Sequence, residues 1–156
     1  MWYIFLFFIL AKHMQIKIQS TDWIIRQWES DKITLPTAMW ETTILANHAE
    51  MISVISNGMI KIKSDSIDPK YTYEGGNLLL SVIEWIVYVS DNYINVMSGY
   101  VSMSASENSE NLSVMKAKLQ SELSQINHDI DSDEYMNILN QIEKINAEIR
   151  FHKFTN

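Results

Sequence analysis

The chain has 156 residues, no cysteine and a net charge of −7, and 47% of its residues are apolar. That length suits one domain with its own core, and the apolar fraction excludes a disordered chain. The missing cysteines exclude disulfide frameworks, thiolate zinc sites and cysteine nucleophiles together.

Charge is unevenly placed. Residues 1–70 hold seven acidic and seven basic side chains, whereas residues 71–156 hold twelve and five. The acidic half repels phosphate backbones, so no nucleic-acid partner is expected. Trp2–Ala11 is an unbroken apolar run closed by Lys12 and His13. Ten residues are too few to cross a bilayer, which needs about twenty. A degenerate secretion signal, a membrane-interface anchor and a true start at Met14 all fit it. Residues 1–13 are therefore read as a separate apolar segment, with membrane contact through Trp2–Ala11, and 14–156 as one helical domain.

Gln15–Gln19 alternates with period two, as a short strand or an extended lead-in does. Ser20 and Thr21 can cap a short helix carrying Trp23, Ile24, Ile25 and Trp28. Pro36 suits the first turn of a longer helix, Thr37–Asn57. Its stripe is Ala38, Leu45, His48, Ile52 and Ile55, and Asn57-Gly58 stops it. His48 on that stripe is expected to be buried and hydrogen-bonded. Over 59–76 a loop competes with a small β element near 59–73, because Ile60–Lys63 and Tyr71–Tyr73 have strand-like composition.

From Leu79 onward apolar residues recur every three and four positions: Leu79, Val82, Ile86 and Val89, then Tyr93, Val96, Tyr100 and Met103. This heptad spacing predicts one long central helix, Asn77–Met103, with Trp85 in its core. Ser102–Ser109 reads as a kink or loop. Two further stripes follow, one from Leu112 to Ile130 and one through Ile138, Ile142, Ile145 and Ile149. They predict an antiparallel, coiled-coil-like hairpin, with Asp131 and Glu134 as a capping box for its second helix. The fold class expected is all-α, a helical bundle. The seam Leu79–Tyr100 and the stripe Ile138–Ile149 are the candidate interfaces to a protein partner or to further copies of the chain.

Chemistry is scarce. Asp129-Ile130-Asp131-Ser132-Asp133 opens like a calcium loop, but Glu134 and Asn140 stand where glycine and glutamate are required. The four histidines form no metal-binding pair, and the four glycines make neither a phosphate loop nor a nucleophile elbow. No catalytic residue, metal ligand or cofactor site is assigned, and the chain is read as a non-enzyme.

The apolar stretch Leu78–Ile83, the polar stretch Ser98–Ser113 and the stripes at Met115–Leu119 and Ile138–Ile149 follow one another in a telling order. In this order the chain resembles the EspA-like filament, needle-tip and translocator proteins of type III secretion. The resemblance covers under half the chain. It implies a secreted, self-assembling structural component; without it, a cytoplasmic location is expected. A monomeric acidic binding module of inhibitor or immunity type, and a membrane-associated protein, are the alternatives.

Overall fold

The computed structural model describes residues 13–21, 25–126 and 132–154. Among them are eleven strands followed by two helices, so the all-α expectation is overturned. Five strands form one sheet in the order β2-β1-β10-β9-β5, sheet A. These are β1 (Met14–Ser20), β2 (Ile25–Ser30), β5 (Met51–Ile55), β9 (Trp85–Ser90) and β10 (Tyr93–Ser98). β1 runs parallel to β10, and the other pairings are antiparallel.

Sheet B has the order β11-β8-β6-β3-β4, with β7 also paired to β8. Its strands are β3 (Lys32–Pro36), β4 (Glu41–Leu45), β6 (Gly58–Lys63), β7 (Tyr73–Glu74), β8 (Asn77–Val82) and β11 (Val101–Ser102). The inward side chains of the two sheets meet in one core. Ile16, Ile18, Val87, Val89, Ile94 and Val96 come from sheet A; Ile33, Leu35, Ile44, Ile60, Leu78, Leu80 and Val82 come from sheet B. Each such side chain contributes about 1.5–3 kcal/mol on burial.

The predicted central helix is in fact four strands. β8 is apolar at consecutive positions because both of its faces are covered. Leu78, Leu80 and Val82 point into the sandwich, while Leu79 packs with Met59 and Phe151 on the other side. A strand buried on both faces loses its alternation and looks like a greasy helix. The seam is also broken by a two-residue turn. Asp91 and Asn92 have φ of 51° and 62° and join β9 to β10, a left-handed pair suited to a tight hairpin. Gly75 and Gly76 join β7 to β8 in the same way.

The two earlier helices dissolve likewise. The described part of the first, with Trp28, is the edge strand β2; Trp23 and Ile24 lie outside the described residues. Thr37–Asn57 becomes β4, a turn at Ala46–Glu50, and β5. His48 sits exposed in that turn rather than buried, its ring nitrogen bonded to the carbonyl of Ala49. Trp85 is 49% exposed rather than core. At 59–73 the β element exists but is no hairpin on its own, since β6 and β7 both pair with β8.

Helices α1 (Ser109–Leu123) and α2 (Ser132–His152) complete the chain. Asn108 caps α1 by accepting from the N–H of Asn111 at 2.8 Å. α1 packs on α2, and α2 lies across β6, β8 and β11. This is a two-helix appendage to a sandwich, not part of a helical bundle. The Trp2–Ala11 run, the calcium-like aspartates 129 and 131 and the capping role of Asp131 fall outside the described residues.

Candidate interaction surface

On the outer face of sheet A a row of apolar side chains reaches solvent. On β5, Met51, Ser53 and Ile55 alternate with Ile52 and Val54, and only the latter two point outward, 69% and 48% exposed. Register sets Ile52 opposite Tyr88 and Val54 opposite Ile86 on β9. Tyr88 and Ile86 in turn lie opposite Asn95 and Met97 on β10. The strip is thus apolar at the β5–β9 edge and turns polar across β1, where Gln15, Lys17 and Gln19 stand opposite Tyr93, Asn95 and Met97.

At one end the strip meets the β3–β4 hairpin. Thr37 bridges to Ile55, and the N–H of Ser56 donates to the carbonyl of Pro36 at 2.6 Å. A Cβ on Gly58 would stand 2.7 Å from the Cβ of Pro36, so only glycine allows this crossing. Thr37 also closes the hairpin tip onto the carbonyl of Trp40 through its N–H (3.1 Å) and its hydroxyl. The tip lifts Met39 and Trp40 into solvent, 78% and 66% exposed, on the hairpin that meets β5 at Ile55, the residue opposite Trp85 of β9. Two exposed tryptophans and an apolar edge on rigid hairpins have the composition of a protein-contact surface.

The helical appendage is fastened on the opposite side of the sandwich, through sheet B. Arg150 donates from Nε to Ser81 Oγ and from Nη2 to the carbonyl of Val82, both at 2.8 Å. Ser81 is fully buried, and burial holds the Arg150 guanidinium below its usual pKa, opposed by the nearby Glu143 carboxylate. Asn57 donates to Glu143 at 2.9 Å and accepts from the N–H of Glu84 at 2.6 Å, tying α2 to the β8–β9 turn. Glu148 accepts from the hydroxyl and N–H of Ser106. Phe151 closes the contact against Leu79 and Met59.

The residues picked from the stripes do not share one surface. Leu79 and Val82 in β8, Val89 in β9 and Val96 in β10 are at most 2% exposed. Ile86 and Tyr93 are half-buried on sheet A, and Tyr100 lies between β10 and β11 beneath the ammonium of Lys144, 5.2 Å from the ring centre. Ile138, Ile142 and Ile145 are buried along α2, and Ile149 is partly so. Of these, Ile86 lies in the apolar part of the strip and Tyr93 on its polar side. None of Ile52, Val54, Tyr88, Trp85, Trp40 and Met39 is among the candidate interface residues read from the sequence, where Ile52 stands on a helical stripe and Trp85 in a helix core. The one signal for them is the alternation of Met51–Ile55, which a helical stripe conceals. No cluster of three or more metal-ligating side chains occurs among the described residues, and no helix there is long and apolar enough to cross a membrane.

No protein-family model matches the chain. Over 85 residues, 54% of this chain, it is 25% identical to the ATP synthase epsilon chain of Gloeobacter violaceus. That alignment spans 58% of the relative's length. Among solved structures the chain is similar to a subunit of the Euglena gracilis mitochondrial ATP synthase, in a structure of its OSCP/F1/c-ring. The TM-score there is 0.57 at 15% identity, covering 88% of this chain and 78% of that one. A chain in the central stalk and c-ring of the Tetrahymena thermophila mitochondrial ATP synthase matches with TM-score 0.50 at 13% identity, covering 92% and 96%.

These likenesses fix the fold: a sandwich followed by a two-helix hairpin. They overturn the resemblance to type III secretion proteins, which rests on an apolar helix at Leu78–Ile83 where the chain forms strand β8. The secreted, filament-forming role falls with it, and so does the secreted location. The inhibitor or immunity-type module and the membrane-associated protein find no counterpart in the ATP synthase relatives either.

Proposed function

We propose that this chain is an epsilon-like, non-catalytic subunit of a rotary ATP synthase, seated in the central stalk. One observation carries the reading. The sandwich-then-hairpin order extends over nearly the whole chain in its structural likeness to ATP synthase subunits, and 85 of its residues also align in sequence with an epsilon chain. The exposed strip Ile52–Val54–Tyr88 with Trp85 and Trp40 supplies what a subunit of such an assembly needs, an apolar contact face on a rigid scaffold. On this reading its work is mechanical or regulatory, exerted through contact with neighbouring subunits.

Purification through an affinity tag on this chain, under conditions that keep ATP synthase intact, tests the reading. Mass spectrometry is expected to find the other subunits of the synthase in amounts comparable to the tagged chain. Recovery of the chain alone, or with an unrelated assembly, rejects the proposal.

A further inference from the structure

Strand β5 is the edge of sheet A, and the direction of its backbone groups can be worked out. The Ser56 N–H reaches the Pro36 carbonyl while Thr37 faces Ile55, so residues 54 and 56 aim their N–H and C=O groups away from β9. Backbone groups alternate along a strand. Ser53 and Ile55 therefore bond β9, and Ile52 points outward with Val54. The β3–β4 hairpin covers the Ile55 end of the edge, with Ala38 opposite Val54; among the described residues no strand lies beyond β5 along Met51–Ser53.

Soluble proteins ordinarily blunt such an edge with lysine, proline or a bulge. β5 has none of these: Met51–Ile55 carries no charge and no proline, and its register with β9 is unbroken. Its outward side chains, Ile52 and Val54, are both exposed apolar groups, and Ile52 is the more exposed at 69%. Acidic side chains flank it, Glu50 before the strand and Glu84 beside Trp85 at its far end, both exposed. Lys and Arg are absent from Glu41–Gly58.

We infer that the β5 edge is completed in the assembly by an extended segment of a neighbouring protein subunit, which adds to sheet A as a sixth strand. The inference rests on the stalk reading above and deepens it. The segment carries apolar side chains at alternating positions, to lie over Ile52 and Val54, and Lys or Arg at its ends, to meet Glu50 and Glu84. A second copy of this chain fits poorly, since it would bring the same −7 charge and the same acidic flanks.

Amide hydrogen exchange resolves the matter, measured on the isolated chain and on the synthase purified through it. In the isolated chain Ser53 and Ile55 should exchange slowly and Ile52 fast, an internal control within one strand. In the assembly Ile52 should slow by about a hundredfold or more, as bonded core amides do. Ile52→Pro, which removes one outward donor at an edge position where proline is tolerated, should lower incorporation by about tenfold. Ile52→Val, which keeps that donor, should leave incorporation near wild type.

If the synthase is recovered but Ile52 exchanges as in the isolated chain, strand addition is wrong while the stalk reading survives. If no synthase subunit is recovered, the reading itself fails and takes the inference with it. Protection already present in the isolated chain also overturns it. The edge then belongs to a second copy if dilution removes the protection, and to this chain's own residues if it does not.

Discussion

Strands β5 and β8 have nearly the same composition, Met-Ile-Ser-Val-Ile against Asn-Leu-Leu-Leu-Ser-Val, and opposite fates. β8 lies inside sheet B, with the sandwich core on one face and Phe151 of α2 on the other, and Leu78–Val82 are at most 1% exposed. β5 lies at the edge of sheet A, one face in the core and the other bare. Apolar sequence alone therefore does not separate core from contact surface. Position in the sheet does, together with what the later helices happen to cover.

The largest effect that sharpens this contrast is expected in β8. Leu80→Ala should lower unfolding stability by about 2–5 kcal/mol in urea denaturation, because the site is enclosed on all sides. Arg150→Ala comes next. It removes both bonds from α2 to β8 and leaves the buried Ser81 hydroxyl without that partner, at a cost of about 1–3 kcal/mol. Faster amide exchange along α2 should accompany it, and unchanged exchange would show that Phe151, Glu143 and Glu148 fasten the helix without Arg150.

Ile52→Ser should leave stability within about 0.5 kcal/mol, since its side chain is already mostly in water. A loss as large as that of Leu80→Ala would place the strip in a core and break the contrast.

The smallest effect is electrostatic and pH-dependent. Lys63 Nζ bonds Asp31 Oδ2 at 2.8 Å, which lowers the Asp31 pKa and raises that of Lys63. Whatever stability the pair adds is present above the ordinary aspartate value of about 3.9 and is lost as pH falls through the lowered folded value. Both groups are well exposed, so Asp31→Asn should leave the melting temperature at pH 7 unchanged and flatten its dependence only below about pH 4.

The parts of the fold legible in the sequence are those whose environment has one wet side. α2 shows its 3.6 spacing because Ile138, Ile142 and Ile145 face the protein while Asn137, Asn140 and Gln141 face water. β1 shows period two for the same reason. The middle of the chain misleads because β8 has no wet side, and because β9 and β10 continue its three-and-four spacing by coincidence. The Asp91-Asn92 turn carried the correct information, but inside a heptad pattern two polar residues pass for a solvated face. The strip itself was illegible: nothing in Ile52 or Trp85 distinguishes them from Ile55 or Leu80 until the sheet order is known. Its one trace, the alternation along Met51–Ile55, is too short to compete with a helical stripe drawn from Ala38 to Ile55.

The most direct test of the account is a paired measurement on Ile52→Ser/Val54→Ser. Its urea midpoint is compared with wild type, and its recovery in tag-purified ATP synthase is compared with that of the parent chain. The account predicts a midpoint close to wild type and a chain that is largely missing from the synthase. A stable variant that still assembles in full would contradict it, because the exposed edge of sheet A would then hold nothing.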